Sequence, residues 1–216
     1  MIDWRHIDTV LLDMDGTLLD LHFDTHFWLE HLPRRYCEIH RLETSHGHAL
    51  VERILAERGT LDWYSLRYWQ RELEVDMLTL KREISHLIGY RSDARAFLEW
   101  LHAAPQRVVL ATNADRAGMA LKLELTGLDR YVDALVSSED LGAPKESPEF
   151  WQALLNHEPH DPQRTLLIDD NPAVLQCARA SGIRHLLGIR QPDSQRAPVD
   201  SEAFTCLDRF AAVMGA

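Results

Sequence analysis

The stretch that decides the fold is TVLLDMDGT, residues 9 to 17. A short apolar run leads directly into two aspartates, Asp13 and Asp15, which are followed by Gly16. Two neighbouring carboxylates at the end of a buried strand are costly unless a cation neutralises them. Gly16 permits a sharp turn that can bring both carboxylates to one site. The stretch predicts a buried strand ending in a cation site, although Asp-x-Asp-Gly also occurs in ordinary turns.

Similar short apolar runs recur further along the chain and end in polar residues. They cover residues 107–111, 134–136, 165–168 and 185–189. Runs of this length without alternation are typical of strands buried on both faces of a parallel sheet. Segments with helical periodicity lie between them, at residues 115–125, 148–155 and 172–180. Strands that alternate with helices predict an α/β fold with a Rossmann-like parallel sheet core.

The long interval between the first two predicted strands has no convincing strand. It contains helical stretches at about 23–41 (interrupted near Pro33), 43–58, 62–88 and 92–103. We therefore expect two domains: a core domain of residues 1–20 and 91–216, and an inserted helical cap domain of residues 21–90. The tail after residue 191 is expected to end in a helical run that reaches Ala216.

Polar side chains follow the predicted strands where ligands of open parallel sheets bind. Thr112 and Asn113 could form an anion site. Lys145 precedes a helix, where its charge opposes the helix dipole unless its ammonium points toward acids. Asp169 and Asp170 end another strand, and alternation along a strand places their side chains on opposite sides. Each feature alone also fits a turn, a helix cap or a solvated lysine, but together they predict a metal and phosphate site.

Composition narrows the classes of partner. The 216 residues include 23 Lys and Arg against 34 Asp and Glu, a net charge of −11. Such an acidic chain disfavours binding to nucleic acid, whereas a small phosphorylated molecule can still be held by local donors and a metal. The three cysteines lack CxxC spacing, which predicts free thiols in a reducing compartment. No apolar run approaches a membrane span. We expect a cytoplasmic protein without a membrane partner, and its oligomeric state stays open.

The order of these elements resembles the haloacid dehalogenase-like phosphohydrolases. The four motifs of that family correspond to residues 13–17, Thr112 with Asn113, Lys145, and Asp169 with Asp170. Within the family the chain resembles bacterial GMP/IMP nucleotidases, in residues 10–21, 63–69, 122–129 and 144–146. The resemblance implies a Rossmann-like core with a helical cap. It also implies a phosphatase for small monoesters, with purine nucleoside monophosphates as substrates.

The resemblance further implies a role for each catalytic residue. Asp13 would be the nucleophile and form an aspartyl-phosphate. Asp15 would protonate the leaving alkoxide and then activate water. Thr112 and the backbone N–H of Asn113 would bind phosphoryl oxygens, and Lys145 would balance the charge of Asp13 and the phosphate.

Mg²⁺ is the cofactor that the resemblance implies. Its expected ligands are Asp13, Asp170 and Asp15, the last through its backbone carbonyl. Asp169 is expected not to bind the metal directly but to lie next to these ligands. Many relatives carry a further acid at the position of Val174 here. The adjacent pair Asp169 and Asp170 must then supply the acidic groups, and the two roles within this pair could be reversed.

Other functions compete with this interpretation. A haloacid dehalogenase would use Asp13 but would not need Asp15. A phosphomutase or a sugar-phosphate phosphatase would share all four motifs. A non-catalytic binding module would not need the intact acids and Lys145.

The predicted cap offers candidates for substrate selection. One predicted helix carries aromatic residues that could stack on a purine, although such a stripe is more often core. Two histidines after the first motif could contact phosphate or base. These candidates are Trp63, Tyr64, Tyr68 and Trp69, and His22 and His26.

Overall fold

The computed structural model describes residues 2–215 and contains a six-stranded parallel sheet, which confirms the predicted α/β fold. The strand order is β3-β2-β1-β4-β5-β6, so the strand that precedes Asp13 lies in the middle. The strands are β1 (Thr9–Leu12), β2 (Arg107–Thr112), β3 (Ala134–Ser137), β4 (Thr165–Ile168), β5 (His185–Ile189) and β6 (Cys206–Leu207).

Helices cover both faces of the sheet, and further helices form the insertion after β1. The insertion contains α1 (His22–His26), α2 (Leu32–His40), α3 (Thr44–Ala56), α4 (Leu61–Tyr64), α5 (Leu66–Leu73) and α6 (Met77–Glu83). The sheet is flanked by α7 (Ala94–His102), α8 (Arg116–Thr126), α9 (Ser138–Leu141), α10 (Pro148–His157) and α11 (Pro172–Ala180). A π-helical turn at Phe27–His31 joins α1 to α2, which accounts for the interruption expected near Pro33.

The central strand is buried on both faces, as its uninterrupted apolar run predicts. Val10 and Leu12 pack into one hydrophobic layer, with α7 and Phe210. Leu11 packs into the opposite layer, with α10 and α11. Neighbouring residues of one strand therefore face different layers, which is why the run lacks a polar alternation.

The register of the sheet brings the predicted site residues to one edge. Leu12, the last residue of β1, pairs with Leu110 of β2 and Ile168 of β4. Parallel strands end at the same edge, so the residues that follow these positions lie close together. The three central strands thus deliver Asp13, Thr112 and Asp169 to a common rim.

The helical insertion has a hydrophobic cluster of its own. All its buried members lie between Phe23 and Ile84, and one of them, Trp69, has no exposed surface. The two connections to the sheet run side by side: Leu19 and Tyr90 form an antiparallel bridge, and the Asp20 N–H donates to the Gly89 carbonyl. The insertion thus has a hydrophobic core of its own and two paired connections to the sheet.

Two details of the predicted helices are wrong. The stretch 62–88 is three helices and a 3-10 turn, because Ser65 and Asp76 accept backbone N–H bonds and begin new helices. The tail forms β6 and a single 3-10 turn at Phe210–Ala212 where a helical run was expected. Ala216, its predicted end, lies outside the described residues.

Two expectations from composition concern the cysteines and the membrane. Cys37, Cys177 and Cys206 are free thiols, as their spacing predicts. Within residues 2–215, none of the helices has both the length and the apolar character that a membrane span requires.

Candidate active site

A cavity of about 380 Å³ lies between the carboxyl rim of the sheet and the helical insertion. Its lining includes every predicted site residue: Asp13, Asp15, Thr112, Asn113, Lys145, Asp169 and Asp170. Residues far apart in the sequence meet here: Lys145 contacts Asp13, which lies 132 positions earlier in the chain.

Lys145 is the central cation of this site. Its ammonium donates to Asp13 Oδ1 and to Asp169 Oδ2 at 2.6 Å each, and to the Ala111 carbonyl at 3.0 Å. The side chain is only 2% exposed. The ammonium therefore points away from the N-terminus of α10 and toward two acids, which resolves the unfavourable interaction with the helix dipole.

The two acids that follow β4 have different surroundings. Asp169 uses both oxygens: Oδ2 accepts from Lys145, and Oδ1 accepts from the Asn171 N–H at 2.9 Å. Within residues 2–215 the Asp170 carboxylate accepts no hydrogen bond, and it lies against Gly16, where a Cβ would come within 2.5 Å of Asp170 Oδ2. Asp170 is thus the acid with free oxygens.

The expectation that these acids face opposite sides is wrong. One oxygen each of Asp13, Asp169 and Asp170 lies within 4.8 Å of the others. The reason is that β4 ends at Ile168, so strand alternation does not extend to the two aspartates.

The acidic cluster fits a hard divalent cation. Asp13 Oδ2 is buried and has no hydrogen-bond partner in the described part of the chain. The cluster has three carboxylates, and the Lys145 ammonium contacts only two of them, which leaves negative charge for a cation to neutralise. All available donors are oxygens, the ligands that Mg²⁺ prefers. The Asp15 side chain is outside this cluster, so only its carbonyl could serve as the ligand that the resemblance implies.

Burial and crowding of like charges shift the pKa values of these groups. Burial raises the pKa of Asp13 to about 6; Lys145 opposes this effect and Asp169 adds to it. Burial and the neighbouring acids Asp13 and Asp169 raise the pKa of Asp170 well above its usual range. Burial alone would lower the pKa of Lys145, but Asp13 and Asp169 raise it, which keeps the ammonium charged.

The rim after β2 is held in place by side-chain hydrogen bonds. The Thr112 hydroxyl accepts from the Ala114 N–H at 3.1 Å. The side-chain amide of Asn113 accepts from the Lys145 N–H at 2.9 Å and donates to Glu146 at 2.9 Å. Since the Asn113 side chain is engaged in this way, its backbone N–H remains the group expected to bind phosphate.

Asp15 lies beside Lys122, a lysine for which the sequence predicted no role at the site. Lys122 from α8 contacts Asp15 Oδ2 at 2.7 Å and Asp24 Oδ2 at 2.6 Å. Burial raises the pKa of the Asp15 carboxyl to about 6, with Lys122 opposing and Asp24 adding to the rise. A carboxyl with this pKa can both hold and release a proton near neutral pH.

The predicted aromatic helix is divided between two short helices. Trp63 and Tyr64 belong to α4, while Tyr68 and Trp69 belong to α5. Trp69 is part of the core of the insertion. Tyr64 lines the cavity, and its hydroxyl donates to Glu146 at 2.7 Å. Trp69 is therefore a core residue, and only Tyr64 of the four aromatic residues lines the cavity.

The structure also identifies residues that sequence reasoning missed. Asp24, Arg58 and Glu146 line the cavity, whereas His22 and His26 do not. His22 lies near Asp193 and His26 near Glu30. One further residue, Lys81, could have been found from the sequence. It lies four positions after Met77 on an otherwise apolar helix face, where a lysine must be buried, and in the structure it pairs with Asp24.

Comparisons with known proteins show which family the chain resembles. Residues 7–182 match the family described as haloacid dehalogenase-like hydrolase. The chain is 39% identical to the GMP/IMP nucleotidase YrfG of Escherichia coli, over 89% of this chain and 87% of that protein. It is 22% identical to a phosphorylated carbohydrates phosphatase of Thermotoga maritima, with 85% of each covered.

Solved structures share the fold. A HAD phosphatase from Thermococcus onnurineus superposes with a TM-score of 0.74 at 22% identity, covering 90% of this chain and 92% of that one. The family match together with the nucleotidase relative confirms the predicted enzyme class, a phosphoric monoester hydrolase. The chain belongs to the haloacid dehalogenase-like hydrolases.

Proposed function

We propose that this chain is a Mg²⁺-dependent 5′-nucleotidase that hydrolyses purine nucleoside monophosphates through an aspartyl-phosphate on Asp13. One observation carries the chemistry: a buried ammonium, Lys145, joins Asp13 and Asp169, while Asp13 Oδ2 stays without a partner in the described residues. The 39% identity to a GMP/IMP nucleotidase supports the purine substrate.

In the first half of the reaction, phosphate moves from the substrate to Asp13. A carboxylate oxygen of Asp13 forms a bond to phosphorus while the bond from phosphorus to the ribose 5′ oxygen breaks. Asp15 gives its proton to the leaving oxygen, so the nucleoside departs as an alcohol. Thr112 and the N–H of Asn113 hold the phosphoryl oxygens in line for this exchange.

In the second half, water releases the phosphate. Asp15, now a carboxylate, accepts a proton from water as the water oxygen bonds to phosphorus. The bond to Asp13 breaks, and Asp13 returns to its starting form with release of inorganic phosphate. Lys145 stays charged throughout and balances the negative charge of Asp13 and the phosphoryl group.

Mg²⁺ would be held by Asp13, Asp170 and the backbone carbonyl of Asp15. Asp169, whose carboxylate accepts a hydrogen bond from Lys145, would lie next to these ligands without binding the metal directly. When bound, the cation neutralises charge between an anionic nucleophile and an anionic substrate. The unpartnered Asp13 Oδ2 and the position of Asp170 within 4.8 Å of the Asp13 carboxylate support this assignment.

We also propose that residues 21–90 are a cap domain over a core domain of residues 1–20 and 91–216. The separate hydrophobic cluster and the paired connections near Leu19 and Tyr90 support this division. A cytoplasmic location belongs to the same proposal, since the free thiols suit a reducing compartment.

A second candidate is a sugar-phosphate phosphatase. The phosphorylated carbohydrates phosphatase of Thermotoga maritima is a relative that covers 85% of this chain. Its lower identity of 22% places this candidate behind the nucleotidase.

Hydrolysis of a panel of monoesters tests the substrate. We expect Mg²⁺-dependent release of phosphate, lost with EDTA, and kcat/KM values for GMP and IMP that exceed those for AMP and hexose phosphates. Higher values for hexose phosphates would replace the nucleotidase by the second candidate.

The Asp13→Asn variant tests the mechanism. We expect wild-type enzyme, quenched during turnover, to carry the mass of one phosphoryl group, and the variant to carry none and to lose turnover. An Asp13→Asn variant with near wild-type activity would overturn the assignment, provided that its thermal unfolding shows a folded protein.

A further inference from the structure

A row of alternating charges, with buried lysines and partly buried aspartates, extends from Asp15 into the helical insertion. Lys122 contacts Asp15 at 2.7 Å and Asp24 at 2.6 Å, and Lys81 contacts the other oxygen of Asp24 at 2.8 Å. The side chains of Lys122 and Lys81 are 3% and 4% exposed, respectively. We call Asp15, Lys122, Asp24 and Lys81 the charge row.

The charge row crosses the boundary between the sheet and the insertion. Asp15 and Lys122 belong to the sheet side, on the β1 rim and α8. Asp24 and Lys81 belong to the insertion, on α1 and α6. Lys122 therefore binds one carboxylate from each side, and Asp24 is separated from it by 98 residues of sequence.

The insertion end of the row is fixed by aromatic rings. The Lys81 ammonium lies 4.9 Å from the ring centre of Phe23, 4.5 Å from Phe27 and 5.5 Å from Trp28. Rings at these distances attract a desolvated cation. Asp24 is thus held on the insertion by Lys81 and presented toward Lys122.

The two oxygens of Asp15 have unequal surroundings. Oδ2 is held by Lys122, whereas Oδ1 is buried and has no hydrogen-bond partner in residues 2–215. Asp15 lines the cavity that contains Lys145 and Thr112. The contact with Lys122 on one side leaves the opposite oxygen available for the leaving group on the other.

We propose that Lys122 is a positioning residue that orients Asp15 for proton transfer to the leaving oxygen, and that Asp24 links this orientation to the seated insertion. The inference rests on the proposed function, because it assumes that Asp15 is the general acid. If the insertion moves away, Lys122 loses one of its two carboxylates and Asp15 loses a fixed partner. Proton transfer from Asp15 is therefore expected to be most efficient when the insertion covers the cavity.

The leaving group provides the test. A nucleoside alkoxide needs a proton from Asp15, whereas p-nitrophenolate leaves without one. Since kcat/KM covers only the steps through release of the leaving group, it does not include hydrolysis of the aspartyl-phosphate. For Lys122→Met we expect kcat/KM on GMP to fall by about 100-fold, the lower range for a lost general acid, and on p-nitrophenyl phosphate by much less.

Three variants separate positioning from stability. Lys122→Arg keeps a cation beside Asp15 and is expected to recover most of the activity on GMP. Lys81→Met removes an equally buried lysine that contacts Asp24 but not Asp15, so any loss selective for GMP should be no larger than that of Asp24→Asn and well below that of Lys122→Met. Asp24→Asn keeps the shape of the side chain and is expected to show the selective loss in weaker form.

Equal losses on both substrates in Lys122→Met, or the same selective loss in Lys81→Met, would overturn the proposal. Wild-type turnover of GMP reports separately on the proposed function. If the wild type prefers hexose phosphates, the comparison is made with those esters, which also release an alkoxide. A wild type that cleaves p-nitrophenyl phosphate but no alkyl ester would refute both.

Discussion

The contact between Gly16 and Asp170 allows the acidic site to be tested by adding a single carbon. Gly16 has a φ of +86°, in the left-handed region that side chains rarely adopt. A Cβ at this position would lie 2.5 Å from Asp170 Oδ2 and 3.1 Å from the Pro192 Cβ. Gly16→Ala therefore has two separate effects, one on backbone strain and one on the position of Asp170.

Gly59 offers a control for the backbone strain of the Gly16→Ala variant. Gly59 has a φ of +85°, but a Cβ added there would meet no heavy atom of the described residues within 4 Å, so Gly59→Ala carries the backbone effect alone. A left-handed residue other than glycine costs about 1–2 kcal/mol in the free energy of unfolding. For a chain of 216 residues this lowers Tm by about 2–8 °C in either variant.

Only Gly16→Ala is expected to damage the site. Non-bonded atoms prefer a separation of about 3.5 Å, so the Asp170 carboxylate must move by about 1 Å. A displacement of about 1 Å within an active site costs about 100-fold in rate. We expect Mg²⁺ affinity to fall by about 10–100-fold, as for disturbed ligand shells, and kcat at moderate Mg²⁺ to fall accordingly.

Three measurements on both variants decide the outcome. They are thermal unfolding in EDTA, Mg²⁺ titration by calorimetry, and kcat with p-nitrophenyl phosphate as a function of Mg²⁺. Similar Tm values with a selective loss of Mg²⁺ affinity in Gly16→Ala support the role of Asp170. If both variants bind Mg²⁺ and turn over alike, Asp170 is not a ligand of the metal.

Three further predictions concern the cavity. Arg58→Met is expected to raise KM for GMP and IMP more than for p-nitrophenyl phosphate, because this arginine of the insertion lines the cavity and arginine binds the O6 and N7 acceptors of guanine. Equal changes in KM for all three substrates would contradict this prediction. Glu146→Gln weakens the acceptor of the hydrogen bonds from Tyr64, Asn113 and Asn171, so kcat/KM should fall by about tenfold. Tyr64→Phe removes only one of these hydrogen bonds, so its decrease in kcat/KM should be smaller. Mg²⁺ affinity, measured by calorimetry from pH 5 to 8, should fall as pH drops through about 6, where Asp13 takes up a proton; a flat profile would contradict its raised pKa.

The strands and the rim residues were predictable because their signals are local. A strand buried on both faces, such as β1, needs an uninterrupted apolar run, and the polar residues after it mark the edge where ligands bind. Lys145 was recognisable because a lysine before a helix is unfavourable without acids nearby. The length of the helix over residues 62–88 was wrong because the capping bonds of Ser65 and Asp76 outweighed a continuous helical pattern.

The charge row and the cavity wall depend on contacts that no local pattern encodes. Hydrophobic periodicity shows which face of a helix is buried, but not which other buried face it meets. Whether Lys122 reaches Asp24, 98 residues away, depends on how the insertion sits over the sheet. That placement results from many packing contacts of the insertion, and it alone brings the two buried lysines and the two partly buried aspartates together.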